Sequence, residues 1–281
     1  MSHILACIDG SSAAIPVCDY AAWAARRLGA PLTLLHVLDE ARFPVESDLS
    51  GNLGVDAREH LLNELADIDA QRNKLALRQG ELMLEAARER VIADGIAEPV
   101  LRQRHGHLVD TLSGLEADTH LLVMGKQGEA HTDAHAVGDN VEKVIRALHR
   151  PILLAAGEFR EPQEVMLAFD NSDISRRGIQ MLCDSPLFST LTCHLVSVGD
   201  DSALQTQLDE AEKRLAASGH AVKTAVLAGE IEPALHRYQQ DNNIDMVLMG
   251  AYGHSRLREW LLGSTTNDMI RHATVPHLLL R

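Results

Sequence analysis

Aromatic residues are scarce, at 3% of the 281-residue chain, so Leu, Val, Ile and Ala must fill any core. No apolar run approaches the roughly 18 residues of a membrane-spanning helix. Asp9 interrupts the apolar start of the chain, so neither a span nor a secretory leader is expected. Basic residues are outnumbered: 26 Lys and Arg face 40 Asp and Glu, a formal net charge of −14. A phosphate backbone needs a basic face, which argues against nucleic acid as a partner but leaves room for a small local anion site. The four cysteines, Cys7, Cys18, Cys183 and Cys193, show no CxxC spacing and each lies in an apolar stretch. They read as buried free thiols of a reducing compartment, and the expected location is the cytoplasm.

What is present is a globular balance of 46% apolar and 23% charged residues, enough to fill a core. The length favours two compact domains over one.

The chain also repeats itself. His120-Leu-Leu-Val-Met-Gly-Lys-Gln-Gly128 lies over Asp245-Met-Val-Leu-Met-Gly-Ala-Tyr-Gly253 at an offset of 125, which also carries Gly138 onto Gly263 and Pro151 onto Pro276. From 120 to 154, nine of 35 positions are identical without a gap. Near the start of each half, Ile4–Asp9 resembles Val165–Asp170 at an offset of 161, so the first half holds about 36 extra residues. Leu32–Val37 in turn matches Leu191–Val196. The surplus falls on a Leu/Ala/Glu/Arg stretch in which Leu61, Leu65, Ile68, Leu75, Leu82, Ala86 and Ile92 sit near helical spacing. It predicts a long or broken amphipathic helix over 56–94, its apolar face packed on its own sheet or forming an interface to the other half or to a second chain.

Strands are expected at 3–8, 32–37, 99–104, 120–124 and 151–156, and again at 164–169, 191–198, 221–227, 245–249 and 276–280, with helices between them. Nearly continuous apolar strands linked by helices predict α/β architecture: a doubly wound parallel sheet in each of two tandem domains, 1–157 and 163–281. In such sheets ligands bind beyond the carboxyl ends of the strands. The candidates are Asp9–Ser12 and Asp170–Asp173 after the first strands, and the segments from Gly125 and Gly250 after the fourth. In the second half, Gly250 and Gly253 are followed after nine residues by Gly263-Ser264-Thr265-Thr266-Asn267 opening a helix. Glycines there let backbone approach a ligand, and a hydroxyl-bearing helix start favours an anion. Ordinary loop glycines with a hydroxyl cap fit the same segment.

This Gly-x2-Gly-x9-Gly-Ser/Thr pattern, after an Asp-ended first strand, resembles the universal stress protein family, and both halves match its domain plan. The resemblance implies a Rossmann-like strand order of 3-2-1-4-5 in each half and a pattern that binds ATP, with adenine near the ends of the first two strands. The implied contacts are Asp170, Val196, Met249, Gly250, Gly253, His254, Gly263, Ser264 and Thr265, and Asp170 could also hold Mg2+ carried in with ATP. In the first half Gly125, Gly128 and Gly138 keep the spacing, but Asp139 replaces the hydroxyl residue and the loop before it has no Lys or Arg. A carboxylate about 4 Å from a phosphate costs on the order of 1 kcal/mol in water and several in a drier site, so ATP is expected chiefly in the second half. That altered loop offers His131, Asp133, His135 and Asp139, with His105 and His107 nearby, as candidate metal ligands, although polar surface is the plainer reading. The resemblance further implies that the last strands of the halves, apolar and at the sheet edge, pair as an intramolecular pseudo-dimer. Association of two chains is left open.

No nucleophile–base arrangement stands out. A nucleotide-responsive stress protein is the expected function, with a nucleotide-independent interaction protein and a slow ATPase or self-phosphorylating enzyme as alternatives.

Overall fold

The computed structural model describes residues 2–38, 55–128, 138–199, 202–251 and 264–281. The first half runs β1 (His3–Cys7), α1 (Ala14–Leu28), β2 (Leu32–Leu38), α2 (Val55–Ala93), β3 (Val100–His105), α3 (Leu108–Leu115), β4 (Thr119–Gly125), α4 (Asp139–Ala147) and β5 (Ile152–Ala155). The second runs β6 (Glu164–Ala168), α5 (Asp173–Asp184), β7 (Thr192–Val198), α6 (Ser202–Ala217), β8 (Ala221–Leu227), α7 (Ile231–Asp241), β9 (Met246–Gly250), α8 (Ser264–Arg271) and β10 (His277–Leu280). The expected strands and helices are there, with ends displaced by a residue or so.

All ten strands join one sheet in the order β3-β2-β1-β4-β5-β10-β9-β6-β7-β8. Each half therefore has the order 3-2-1-4-5, with every pair inside it parallel. The halves meet where β5 and β10 pair antiparallel, Leu278 opposite Leu153. The last strand of each half, expected at an edge, is thus central and fully buried. The exposed edges are β3 and β8, whose charged Arg102, Arg104 and Lys223 discourage further strand addition.

Helices cover both faces, which is why the central strands are apolar nearly throughout. Helix α1 is buried at every position from Val17 to Ala25, because the sheet, α2 and a short turn at Pro186–Phe188 of the second half all pack on it. Its one buried charge, Asp19, is matched by Arg90 of α2, with Nη2 donating to Oδ2 over 2.8 Å. Gly29 ends the helix at φ 59°, a left-handed position that side chains resist.

Helix α2 corrects one expectation. Of the stripe read from the sequence, Ile68, Leu75, Leu82 and Ile92 are exposed, as is Ala86. The helix instead seats Gly80, Leu84, Ala87 and Val91, a different face and only in its C-terminal half. Gly80 permits that seat: a Cβ there would fall 2.6 Å from His36 Cδ2 of β2 and 2.5 Å from Gln103 Nε2 of β3.

The match between β2 and β7 is also corrected. Pairing sets Ile4 beside Leu32 and Val165 beside Cys193, so Leu32 corresponds to Cys193 rather than Leu191. A two-residue shift keeps every side chain on its face, so the pattern alone could not detect it.

Candidate functional site

The carboxyl ends of β6, β7 and β9 lie side by side, since Leu167 pairs with Leu248 and Ala168 with Val196. Val196 and Met249 are buried in the same apolar cluster, on the sheet face covered by α7 and α8. Just beyond β6, Asp170 Oδ1 accepts the Ser172 amide over 3.0 Å, closing a turn in which Asn171 takes φ 57°. Ser172 Oγ then accepts the Ser175 amide over 3.1 Å and caps α5. Ser197 Oγ donates to the Phe169 carbonyl over 2.5 Å, fixing β7 against the chain leaving β6.

Helix α8 is tied to the same place. Thr266 Oγ1, in its first turn, donates to the Gly250 carbonyl at the end of β9 over 3.0 Å. The first turn of a helix presents amide donors and the positive end of its dipole, and here that end stands next to the strand end carrying Gly250. Asp170, Val196, Met249, Gly250 and Thr265 are therefore gathered at one end of the second half, and Ser264 opens α8. Gly253, His254 and Gly263 lie outside the described residues. The residues described there are a buried apolar strand end, a carboxylate that accepts the Ser172 amide and a helix start.

The first half is built alike but filled differently. Asp9 Oδ1 accepts both the amide (3.0 Å) and the hydroxyl (2.5 Å) of Ser11. A Cβ on Gly128 would come within 3.2 Å of Asp9 Oδ2, so this carboxylate lies against the Gly125–Gly128 turn. Where the second half has Ser197, the first has His36, whose Nδ1 donates to the Ile8 carbonyl over 2.8 Å. The imidazole is larger than a hydroxymethyl group and takes up room beneath α2. Among the expected metal ligands, His131, Asp133 and His135 lie outside the described residues; His105 and His107 are exposed at the end of β3 and the start of α3.

Cys18 and Cys193 are buried, whereas Cys7 and Cys183 are half-buried, so burial of all four was an overstatement. Burial pushes the Cys18 and Cys193 thiols up to about 12, which leaves them inert. The sequence reading missed another cluster: Glu232 and His236 on α7 and His272 after α8 meet in space. The i, i+4 placement of Glu232 and His236 was the available signal.

Two tandem five-stranded parallel layers, each with a turn-and-helix site beyond its first and fourth strands, define a duplicated Rossmann-like α/β protein. The sequence profile of the universal stress protein family matches residues 1–155 and 162–281, and the chain belongs to that family. It is 37% identical over 287 residues to a universal stress protein of Synechocystis sp., covering all of both chains. A universal stress protein of Methanocaldococcus jannaschii is 27% identical over 77 residues, 27% of this chain and 48% of that one. Among solved structures, a universal stress protein from Archaeoglobus fulgidus superposes with a TM-score of 0.71 at 18% identity, over 99% of this chain and 96% of that one. One from Pseudomonas aeruginosa gives 0.63 at 16% identity, over 100% and 93%. At these identities the structures speak to fold alone. No helix among the described residues is long and apolar enough to cross a membrane.

Proposed function

We propose that the chain is a cytoplasmic stress protein that binds ATP, chiefly in a C-terminal domain spanning 163–281, and that bound nucleotide alters its stability or its affinity for a partner. The N-terminal domain, 1–157, has lost this site. The observation that carries the reading is the hydrogen bond from Thr266 Oγ1 to the Gly250 carbonyl, which sets the α8 start beside the strand that begins the glycine pattern. In this reading Val196 and Met249 flank the base, Asp170 faces the ribose or a magnesium ion, and Gly250, Gly253, His254, Gly263, Ser264 and Thr265 surround the phosphates. The antiparallel β5–β10 seam supports a pseudo-dimer of the two domains within one chain.

Calorimetric titration of the full chain with ATP and Mg2+ tests it. One site per chain is expected, abolished by Gly253→Val and retained in Gly128→Val. Because a ligand of the folded form stabilises by mass action, ATP is also expected to raise the melting temperature of the wild type and not of Gly253→Val. Absence of binding would leave the nucleotide-independent alternative. Steady turnover abolished by Asp170→Ala, with binding retained, would mark an ATPase.

A further inference from the structure

The structure assigns a zinc site, separate from the nucleotide site, to Glu232, His236 and His272. Glu232 and His236 are one turn apart on α7 and project from one face; His272 follows the last residue of α8, which packs on α7. Glu232 Oε1 stands 3.3 Å from His236 Nε2 and 3.2 Å from His272 Nδ1, and all three atoms lie within 4.8 Å of one another. A tetrahedral zinc ion with bonds of about 2.0–2.1 Å has ligand–ligand edges of about 3.3 Å, so the two edges from Glu232 suit it.

Three further features favour an ion here. His236 Nε2 is buried and, although Glu232 Oε1 stands 3.3 Å away, makes no hydrogen bond with it. Gln239, the next turn of α7, faces His236, and its Oε1 is a second buried atom without a hydrogen bond. His272 is 49% exposed, which provides an entry path and leaves the fourth position to water or a small anion.

The cluster is not a relic of the duplication. Helices α3 and α7 start at Leu108 and Ile231, and each buries its fifth residue, Leu112 or Leu235. On that register Val109 and Ser113 stand where Glu232 and His236 do, and Ala147 stands for His272. A two-imidazole, one-carboxylate donor set suits Zn2+ better than Mg2+ or Ca2+, which take oxygen ligands.

Equilibrium dialysis of the full chain against Zn2+ decides the matter, with Co2+ substitution reporting geometry by its visible spectrum. We expect one ion per chain at this site and a tetrahedral Co2+ spectrum. His236→Ala and the milder His272→Ala and Glu232→Gln should each weaken binding at least about tenfold. Zn2+ should raise the melting temperature of the wild type and of none of these three cluster variants. His131→Ala/His135→Ala should leave this ion in place. Binding lost in that loop variant and unchanged in all three cluster variants would overturn the assignment, as would wild-type protein that takes up no Zn2+. Because His272 is half-exposed, its variant is expected to fold normally, so loss of binding there cannot be ascribed to unfolding.

An independent observation concerns α2. Between residues 63 and 79 no described side chain is buried, yet Ile68 (46%), Leu75 (68%) and Leu82 (64%) are exposed at a seven-residue spacing. Glu64, Asp67 and Asp69 precede Arg72, Lys74 and Arg78, so one half of the arm is acidic and the next basic. We infer that this arm pairs antiparallel with the arm of a second copy of the chain. About a two-fold axis between Gln71 and Arg72, Ile68 meets Leu75 of the other copy and Asp69 meets Lys74, apolar on apolar and acid on base. Light scattering on the purified chain should show a dimer that Leu75→Glu converts to monomer. Asp67→Lys/Asp69→Lys should also dissociate it, and adding Lys74→Glu/Arg78→Glu to the same chain should restore it. A wild-type monomer at crystallisation concentrations, or a dimer indifferent to these changes, would defeat the inference.

Discussion

Lys126 and Arg281 close the same helix end on opposite sides of the seam. Lys126 Nζ donates to the carbonyls of Arg271 (3.1 Å) and Ala273 (3.2 Å) at the end of α8. Arg281 Nη1 donates to those of Arg146 (2.5 Å) and Leu148 (2.7 Å) at the end of α4. At the repeat offset, Arg146 corresponds to Arg271 and Leu148 to Ala273, but the two cations occupy unrelated positions. Each half thus supplies its own cation to satisfy carbonyls left open by the other half's helix.

These contacts hold the halves together in addition to the β5–β10 ladder. Charge-assisted hydrogen bonds contribute about 1.5–3 kcal/mol, so Lys126→Met and Arg281→Ala should each cost about that much. Urea unfolding measures it, and an unchanged midpoint in both variants would show that these two cations do not hold the seam.

Two helical glycines should respond oppositely to alanine. In an open helix position the change stabilises by roughly 0.5–1 kcal/mol. Gly114 of α3 has no atom within 4 Å of an added Cβ and should follow that rule. Gly80 of α2 would drive its Cβ into His36, whose ring is held by the Ile8 carbonyl, so Gly80→Ala should destabilise by about 1–3 kcal/mol. Thermal melts of the two variants check the pair; a gain at Gly80 would mean that α2 is seated elsewhere.

Stability should fall on mild acidification. His277 is fully buried on β10, with Nδ1 donating to the Val275 carbonyl, and burial pulls it from 6.5 down to about 4, with Lys126 and His236 acting in the same direction. Between those values the unfolded chain binds a proton that the folded chain refuses, so the loss begins below pH 6.5 and amounts to about 3 kcal/mol by pH 4. His194, lowered by burial with Tyr238 and Glu164 on its two ring nitrogens, acts in the same sense. Burial alone would raise Glu164, but His194 and Lys223 hold it below the usual carboxylate range. Its contribution is present above pH 4.5 and is lost as the pH falls through its folded value. Urea midpoints from pH 8 to pH 4 should show the decline, and His277→Gln should flatten its upper part. Constant stability from pH 6.5 to 5 would contradict it.

The exposed Thr190 hydroxyl receives Arg27 Nη2 over 2.7 Å, a further contact between the halves. Pairs of this kind at the surface contribute little, so Arg27→Ala should cost less than about 1 kcal/mol in the same unfolding assay. A larger loss would point to the second ion pair of the same guanidinium, Arg27 Nε with Glu161 Oε1 at 4.0 Å.

The sequence by itself determined the elements and their order. Apolar strands, glycine and proline punctuation and helical spacing are local signals, and they set the strands and the long helix over 56–94 to within a residue or so. They also located the glycine pattern after β9 and the departure at Asp139. Face and partner were decided only in three dimensions. The stripe from Ile68 to Ile92 had the right period but is not the face that seats on the sheet, because Gly80 against His36 and Gln103 selects which side of α2 can approach it. The β2–β7 match slipped by two residues because a pleated strand repeats every two. His272 could not be joined to Glu232 and His236 from the sequence, nor Lys126 to Arg271, since each contact spans distant segments whose approach is fixed by the packing of α7 on α8 and of β5 on β10. Local chemistry writes each element; which side chains then share a site depends on how the elements close upon one another.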